Sequence, residues 1–280
     1  MYQLHGLVVL VLATLVQCLS ARASVEFQDE LHYVGQQLPG EPTGYITKIE
    51  GVDTYVSLPK DLTTPPEKAL LFLTDIYGIP LVNNKLLADQ FAGKGYATFI
   101  PDYFDGDPVP VNQTGFNITA WRLRHTEETT TVPLLKVIRG LRKTGVRTFA
   151  ATGYCWGGRF VLRLSQNNTI AVGITAHPSQ LKVPDDFIAL SNVGKAPLQI
   201  HSAEFDGMFS PTVAPVADSV MNATGPYGDL TPYRPGYVRV HHLGVGHGFA
   251  VRPANTSDSR QIAALQAAFE MTVAFLTQHF

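Results

Sequence analysis

Cysteine is almost missing from this 280-residue sequence, which has only Cys18 and Cys155. Charged residues are sparse at 16%, and neither sign dominates, since the formal net charge is −2. There is no basic stripe or polybasic cluster, which argues against a nucleic-acid partner or a membrane surface. Internal repeats, low-complexity tracts and runs of like charge are absent too. The sequence contains no HExxH, paired CxxC or EF-hand pattern, and no GxGxxG follows a predicted strand. His241 and His242 are neighbours in a predicted strand, so they face opposite sides and cannot share a metal. Neither a metal nor a cofactor is expected.

What is present begins at the N-terminus. Residues 7–16 form an apolar run of signal-peptide length, followed by Gln17 and the small-x-small triplet Ala21-Arg22-Ala23. This pattern predicts a signal peptide over 1–23 and a mature chain starting at Ser24. A retained anchor is the alternative, but the run is short for a membrane span. Five of the nine asparagines (Asn112, Asn117, Asn167, Asn222 and Asn255) open an N-x-Ser/Thr triplet. About one such triplet is expected by chance, so the excess predicts secretion and N-linked glycans on surface loops. Cys155 would then be the only cysteine of the mature chain. In an oxidising compartment, a lone thiol is either a buried, inert group or one kept for its reactivity.

Beyond residue 42, short apolar runs alternate with stretches of helical spacing. Strands are predicted at 54–58, 69–74, 97–101, 148–153, 171–176, 198–202 and 237–243, and helices at 81–92, 121–144, 159–166, 212–223 and 259–278. Several of the runs are apolar almost throughout, as suits strands covered on both faces. The alternation predicts one open, mostly parallel sheet with helices on both sides, making 24–280 a single α/β domain. Residues 224–236, rich in Gly and Pro, are read as a surface loop. In such sheets functional groups gather at the carboxyl ends of strands, where Asp75, Cys155, Asp206 and His247 fall.

Gly153-Tyr154-Cys155-Trp156-Gly157-Gly158 runs from a strand into a helix. A nucleophile on this tight turn is pushed out of the strand, and the residues two before and two after it must be almost without side chains. Glycine occupies both places. The helix that follows favours a thiolate, and the Trp156 N–H is placed to donate to an oxyanion. A buried cysteine beside a glycine-rich turn is the alternative. Asp206 stands in a common Asp-Gly turn pair, with Glu204 as a rival carboxylate. His247 lies between Gly246 and Gly248 after the last strand. Nucleophile, acid and histidine in this order, each following a strand, is the α/β-hydrolase arrangement.

Taken together, Thr74-Asp75-Ile76-Tyr77-Gly78, Pro101-Asp102-Tyr103-Phe104, Gly153 to Gly158 and His247 to Arg252 resemble the dienelactone hydrolase family over roughly residues 45–280. The resemblance implies a cofactor-free Cys155–Asp206–His247 triad with Ile76 N–H completing the oxyanion hole. It places Asp75 where family members carry an acid that contacts the resting thiol, usually the longer glutamate. Arg252 resembles the second of two arginines that hold a substrate carboxylate, displaced by one residue. The stretch where the first belongs reads Asp105-Gly106-Asp107, and two acids there would repel an anionic dienelactone. Tyr77, Trp121, His177 and Phe249 are expected as further pocket walls. The expected function is secreted hydrolysis of a small ester or lactone. The rival is a non-catalytic binding glycoprotein on a hydrolase scaffold, and a cysteine peptidase fits the elbow and residue order less well.

Overall fold

The strand runs that lack polar residues form the middle of a sheet. In the computed structural model, which describes residues 34–280, eight strands line up in the order β1-β2-β4-β3-β5-β6-β7-β8. They span Tyr45–Ile49 (β1), Val52–Ser57 (β2), Lys68–Leu73 (β3), Thr98–Pro101 (β4), Thr148–Tyr154 (β5), Val172–Ala176 (β6), Leu198–Phe205 (β7) and Tyr237–Gly246 (β8). The β1–β2 and β2–β4 pairs are antiparallel and the rest parallel. The helices are Val82–Gly93 (α1), Ile118–Arg124 (α2), Glu127–Lys143 (α3), Trp156–Gln166 (α4), Asp185–Val193 (α5), Ala214–Met221 (α6) and Ser259–His279 (α7). Gly35–Phe280 is one compact unit. The predicted signal peptide, residues 1–23, lies outside the described residues.

Both faces of the central strands are covered. Leu70, Phe72, Ala150, Val172 and Ile174 pack with Leu87 and Phe91 of α1 and with Ala268, Phe269 and Leu276 of α7. The opposite face meets α4, where a side chain at Gly153 would collide with Val161. This two-sided cover explains why these strands read as unbroken apolar runs.

Four elements differ from expectation. β1 escaped notice because it is an edge strand with Tyr45 and Ile46 exposed, so it carries no alternation. The helix expected over 121–144 is two helices. Thr126 interrupts it and caps α3, accepting from Thr129 N–H, with Glu127 and Glu128 placed favourably in the first turn. α5 was not anticipated, and the helix expected at 159 starts at Trp156. The 224–236 loop is a loop apart from a short 3-10 turn at Gly225–Tyr227, and it is pinned by buried Tyr233, whose hydroxyl donates to Ala196 O. Among the described residues no helix is long and apolar enough to cross a membrane. All five sequon asparagines are exposed.

Candidate active site

The turn between β5 and α4 holds Cys155 in a conformation that L-residues rarely adopt, φ 50° and ψ −109°. Neighbouring backbone keeps it there: Gly157 N–H donates to Thr74 O at 3.0 Å, and Ser179 N–H to Cys155 O at 2.9 Å. The turn is possible only without flanking side chains. A Cβ at Gly153 would lie 2.6 Å from Gly157 O, and one at Gly157 would lie 2.1 Å from Leu73 O. Trp156 is the first residue of α4, so its N–H has no intrahelical acceptor. The Gly157–Thr74 bond draws this helix end to the loop after β3, where Asp75 and Ile76 lie.

Contrary to expectation, the sulfur does not stand in the open. Cys155 is only 2% exposed, with Ser179 folded over it and Ser179 Oγ 3.6 Å from Sγ. Ser179 was not identified from sequence, because its approach depends on the chain turning back after β6.

Asp206 and His247 follow β7 and β8, which are parallel neighbours. Both Asp206 oxygens lie 3.0 Å from His247 Nδ1, and the two side chains are buried. Asp206 Oδ1 also accepts from the Met208 and Phe209 N–H groups, which fixes the carboxylate. The rival Glu204 is occupied elsewhere, accepting from Gly244 N–H at 2.7 Å. Burial opposes ionisation of the Cys155 thiol, but the His247 imidazole and the Arg252 guanidinium outweigh it and lower its pKa. His247 shows the reverse balance: burial would lower it, yet Asp206 and the sulfur raise it. Asp206 is held below the usual carboxylate range, because His247 and the two N–H donors overcome its burial. His247 Nε2 is buried and meets no nitrogen or oxygen partner; its polar neighbour is the Cys155 sulfur.

Asp75 is fully buried. Its Oδ1 accepts from Tyr77 N–H (3.1 Å) and Asn84 Nδ2 (3.2 Å), and its Oδ2 from Arg252 Nε (3.0 Å). Burial pushes this carboxyl up against the pull of Arg252. The carboxylate makes no hydrogen bond to Cys155, so the thiol contact implied by the resemblance is not formed. Asn84, which helps hold Asp75, carried no sequence signal, being one of several polar residues in α1. Arg252 also lies over the Tyr77 ring, 5.4 Å from its centroid, and Gln113 Nε2 donates to the Tyr77 hydroxyl at 2.6 Å.

His177 packs against His247 (ring centroids 5.0 Å apart) and Phe249 (5.6 Å), so His177 adjoins the Asp206–His247 pair and Phe249 lies behind it. Trp121 stands one layer back. Its rings meet Trp156, Phe104 and His125 rather than Cys155 or His247. The two acids expected to repel an anion do not act that way. Asp105 is exposed, and Asp107 pairs with Arg124 Nη2 (2.9 Å) and His125 Nε2 (3.0 Å), with Phe104 packed between His125 and Trp156. His241 and His242 do face opposite ways, exposed and buried respectively. Among the described residues no three His, Cys, Asp or Glu side chains converge as a metal site.

The sequence profile of the dienelactone hydrolase family matches residues 52–280. "Hydrolase pyvD" of Aspergillus violaceofuscus is 34% identical over 242 residues, 86% of this chain and 92% of that one. "Dienlactone hydrolase 1" of Gibberella moniliformis is 38% identical over 183 residues, 61% of this chain and 67% of its own. A solved Klebsiella pneumoniae structure described as a dienelactone hydrolase superimposes with a TM-score of 0.68 at 16% identity, covering 85% of this chain and 99% of that one. This last likeness establishes the α/β-hydrolase architecture.

Proposed function

The chain belongs to the dienelactone hydrolase family, and on that premise we propose that it cleaves an ester or lactone through a thioester formed on Cys155. The observation that carries this reading is the buried Asp206–His247 pair, set beside a cysteine on a strained strand-to-helix turn. The Cys155 thiolate attacks the acyl carbon while the Trp156 and Ile76 N–H groups hold the oxyanion. His247, kept in one orientation by Asp206, protonates the departing alkoxide and then takes a proton from water. An uncharged acyl compound suits the site better than a carboxylate-bearing one. Arg252, the side chain that would bind an anion, is already ion-paired with Asp75. Cys155→Ala should retain the fold and lose turnover of 4-nitrophenyl acetate and of a panel of neutral and charged lactones. Undiminished turnover in that variant would remove the thiol from the mechanism.

The same proposal places the enzyme outside the cell. The apolar run at 7–16, the Ala21-Arg22-Ala23 triplet and five exposed sequons support secretion. Protein harvested from the medium of a eukaryotic host should begin at Ser24 and gain mobility after glycosidase treatment. A retained residue 1 and an unchanged mobility would contradict this placement.

A further inference from the structure

His177 is the most anomalous side chain near the dyad. It follows β6 directly, and its backbone has φ 40°, in the left-handed region that favours glycine. Its N–H donates to His201 O at 2.7 Å, which holds it there. The residue is fully buried, yet neither Nδ1 nor Nε2 has a hydrogen-bond partner. Leaving both nitrogens of a buried imidazole unpaired is costly, and proteins keep such groups where a ligand or water completes them. Backbone outliers held in this way also concentrate at functional sites.

The surroundings indicate what would complete them. Tyr154 and Phe249 rings flank His177 with centroids 6.1 and 5.6 Å away, and neither ring face offers a polar atom. The His247 ring stands nearly edge-on, with centroids 5.0 Å apart at 66°, and its Nε2 meets no nitrogen or oxygen partner, only the Cys155 sulfur. Cys155 adjoins the same segment through Ser179.

We propose that His177 holds the water that hydrolyses the acyl group on Cys155. The inference rests on the covalent reading above and adds a positioning residue to its second half. In that step the water oxygen bonds to the acyl carbon, and one of its protons passes to His247 Nε2. The carbonyl π pair moves onto the oxyanion. Its return breaks the C–S bond, leaving the thiolate beside the His247 imidazolium and releasing the carboxylic acid. His177 accepts the water's other hydrogen and exchanges no proton. Burial and the nearby His247 and Arg252 charges push its pKa well down, so it stays neutral and does not compete as the base.

Stopped-flow hydrolysis of 4-nitrophenyl acetate separates the two halves. His177→Phe keeps the ring packing and removes the nitrogens. Its burst should run within about twofold of wild type, while steady turnover falls on the order of tenfold, as for one lost hydrogen bond. Acetylated Cys155 should accumulate, visible by intact mass. His177→Gln, which retains an amide donor and acceptor, should recover part of the loss. The smaller His177→Ala, which also lacks both nitrogens, carries the test if the phenylalanine variant does not fold. A burst and turnover that fall together, or that both stay unchanged, overturn the assignment. A wild-type enzyme that turns over ester without ever acetylating Cys155 overturns the covalent reading itself, and this proposal with it.

Discussion

Two aspartate–histidine pairs sit at the same separation in this protein, and only one has the makings of a catalytic dyad. Asp206–His247 and Asp107–His125 each close to 3.0 Å. The first is sealed, with side chains 0% and 1% exposed, whereas the Asp107 side chain is 47% exposed. Charges in a buried setting interact more strongly than the same charges screened by water. The second difference is company. Asp206–His247 leaves Nε2 beside a thiol, while Asp107 is shared with Arg124. The Asp107–His125 pair also lines an open cleft of about 560 Å³, but neither cysteine nor serine is among the residues that line it. Its Thr129 hydroxyl already donates to Arg124 O. A cleft and a well-spaced dyad therefore do not make a site, whereas burial and an activated third group can.

Matched substitutions put that contrast to the test. Asp206→Asn should lower kcat for 4-nitrophenyl acetate by on the order of 10³-fold, since it unfixes the imidazole and removes the charge that stabilises its protonated form. A loss below tenfold would mean that burial of the pair does not matter to the chemistry. A smaller effect is expected in the pH profile of thiol alkylation. Because the Cys155 pKa is lowered, iodoacetamide should react with an inflection below the ordinary thiol value of about 8.5. In His247→Ala the larger cationic influence is gone and only Arg252 opposes burial, which raises the pKa, so the inflection should move up from its wild-type position. An unreactive thiol in the wild-type protein would instead favour a binding role for the scaffold. Asp107→Asn should have the smallest effect, with kcat within about twofold and stability changed by about 0–1 kcal/mol in a denaturant titration. A large kinetic loss there would erase the distinction between the pairs.

How far the sequence disclosed this arrangement depended on whether a signal was local. The elbow was legible because Gly153 and Gly157 are steric necessities, and the collisions a side chain would meet there bear this out. The parallel strands were legible because two-sided burial erases polar alternation. By contrast, β1 is exposed and α5 is short, so neither leaves a periodic trace. The break at Thr126 left only a capping residue before two glutamates as its trace, and the apolar spacing ran across it, so 121–144 read as one helix. Cys155 was expected in the open, and its cover by Ser179 could not be seen, since that contact requires the chain to fold back after β6. Asp107 could not be separated from the site by sequence either, because its partners Arg124 and His125 belong to the helix end that the break creates. Glu204 and Asp206 were rivals until the geometry gave one to a backbone amide and the other to an imidazole.

Cys155, Asp206 and His247 follow the ends of β5, β7 and β8, so they are assembled by the hydrogen-bonded ladder of the sheet. Until β8 has docked, Cys155 lacks the cation that lowers its pKa and behaves as an ordinary thiol. An activated thiol therefore exists only once that strand is in place, and a misfolded copy lacking it carries a comparatively harmless sulfur.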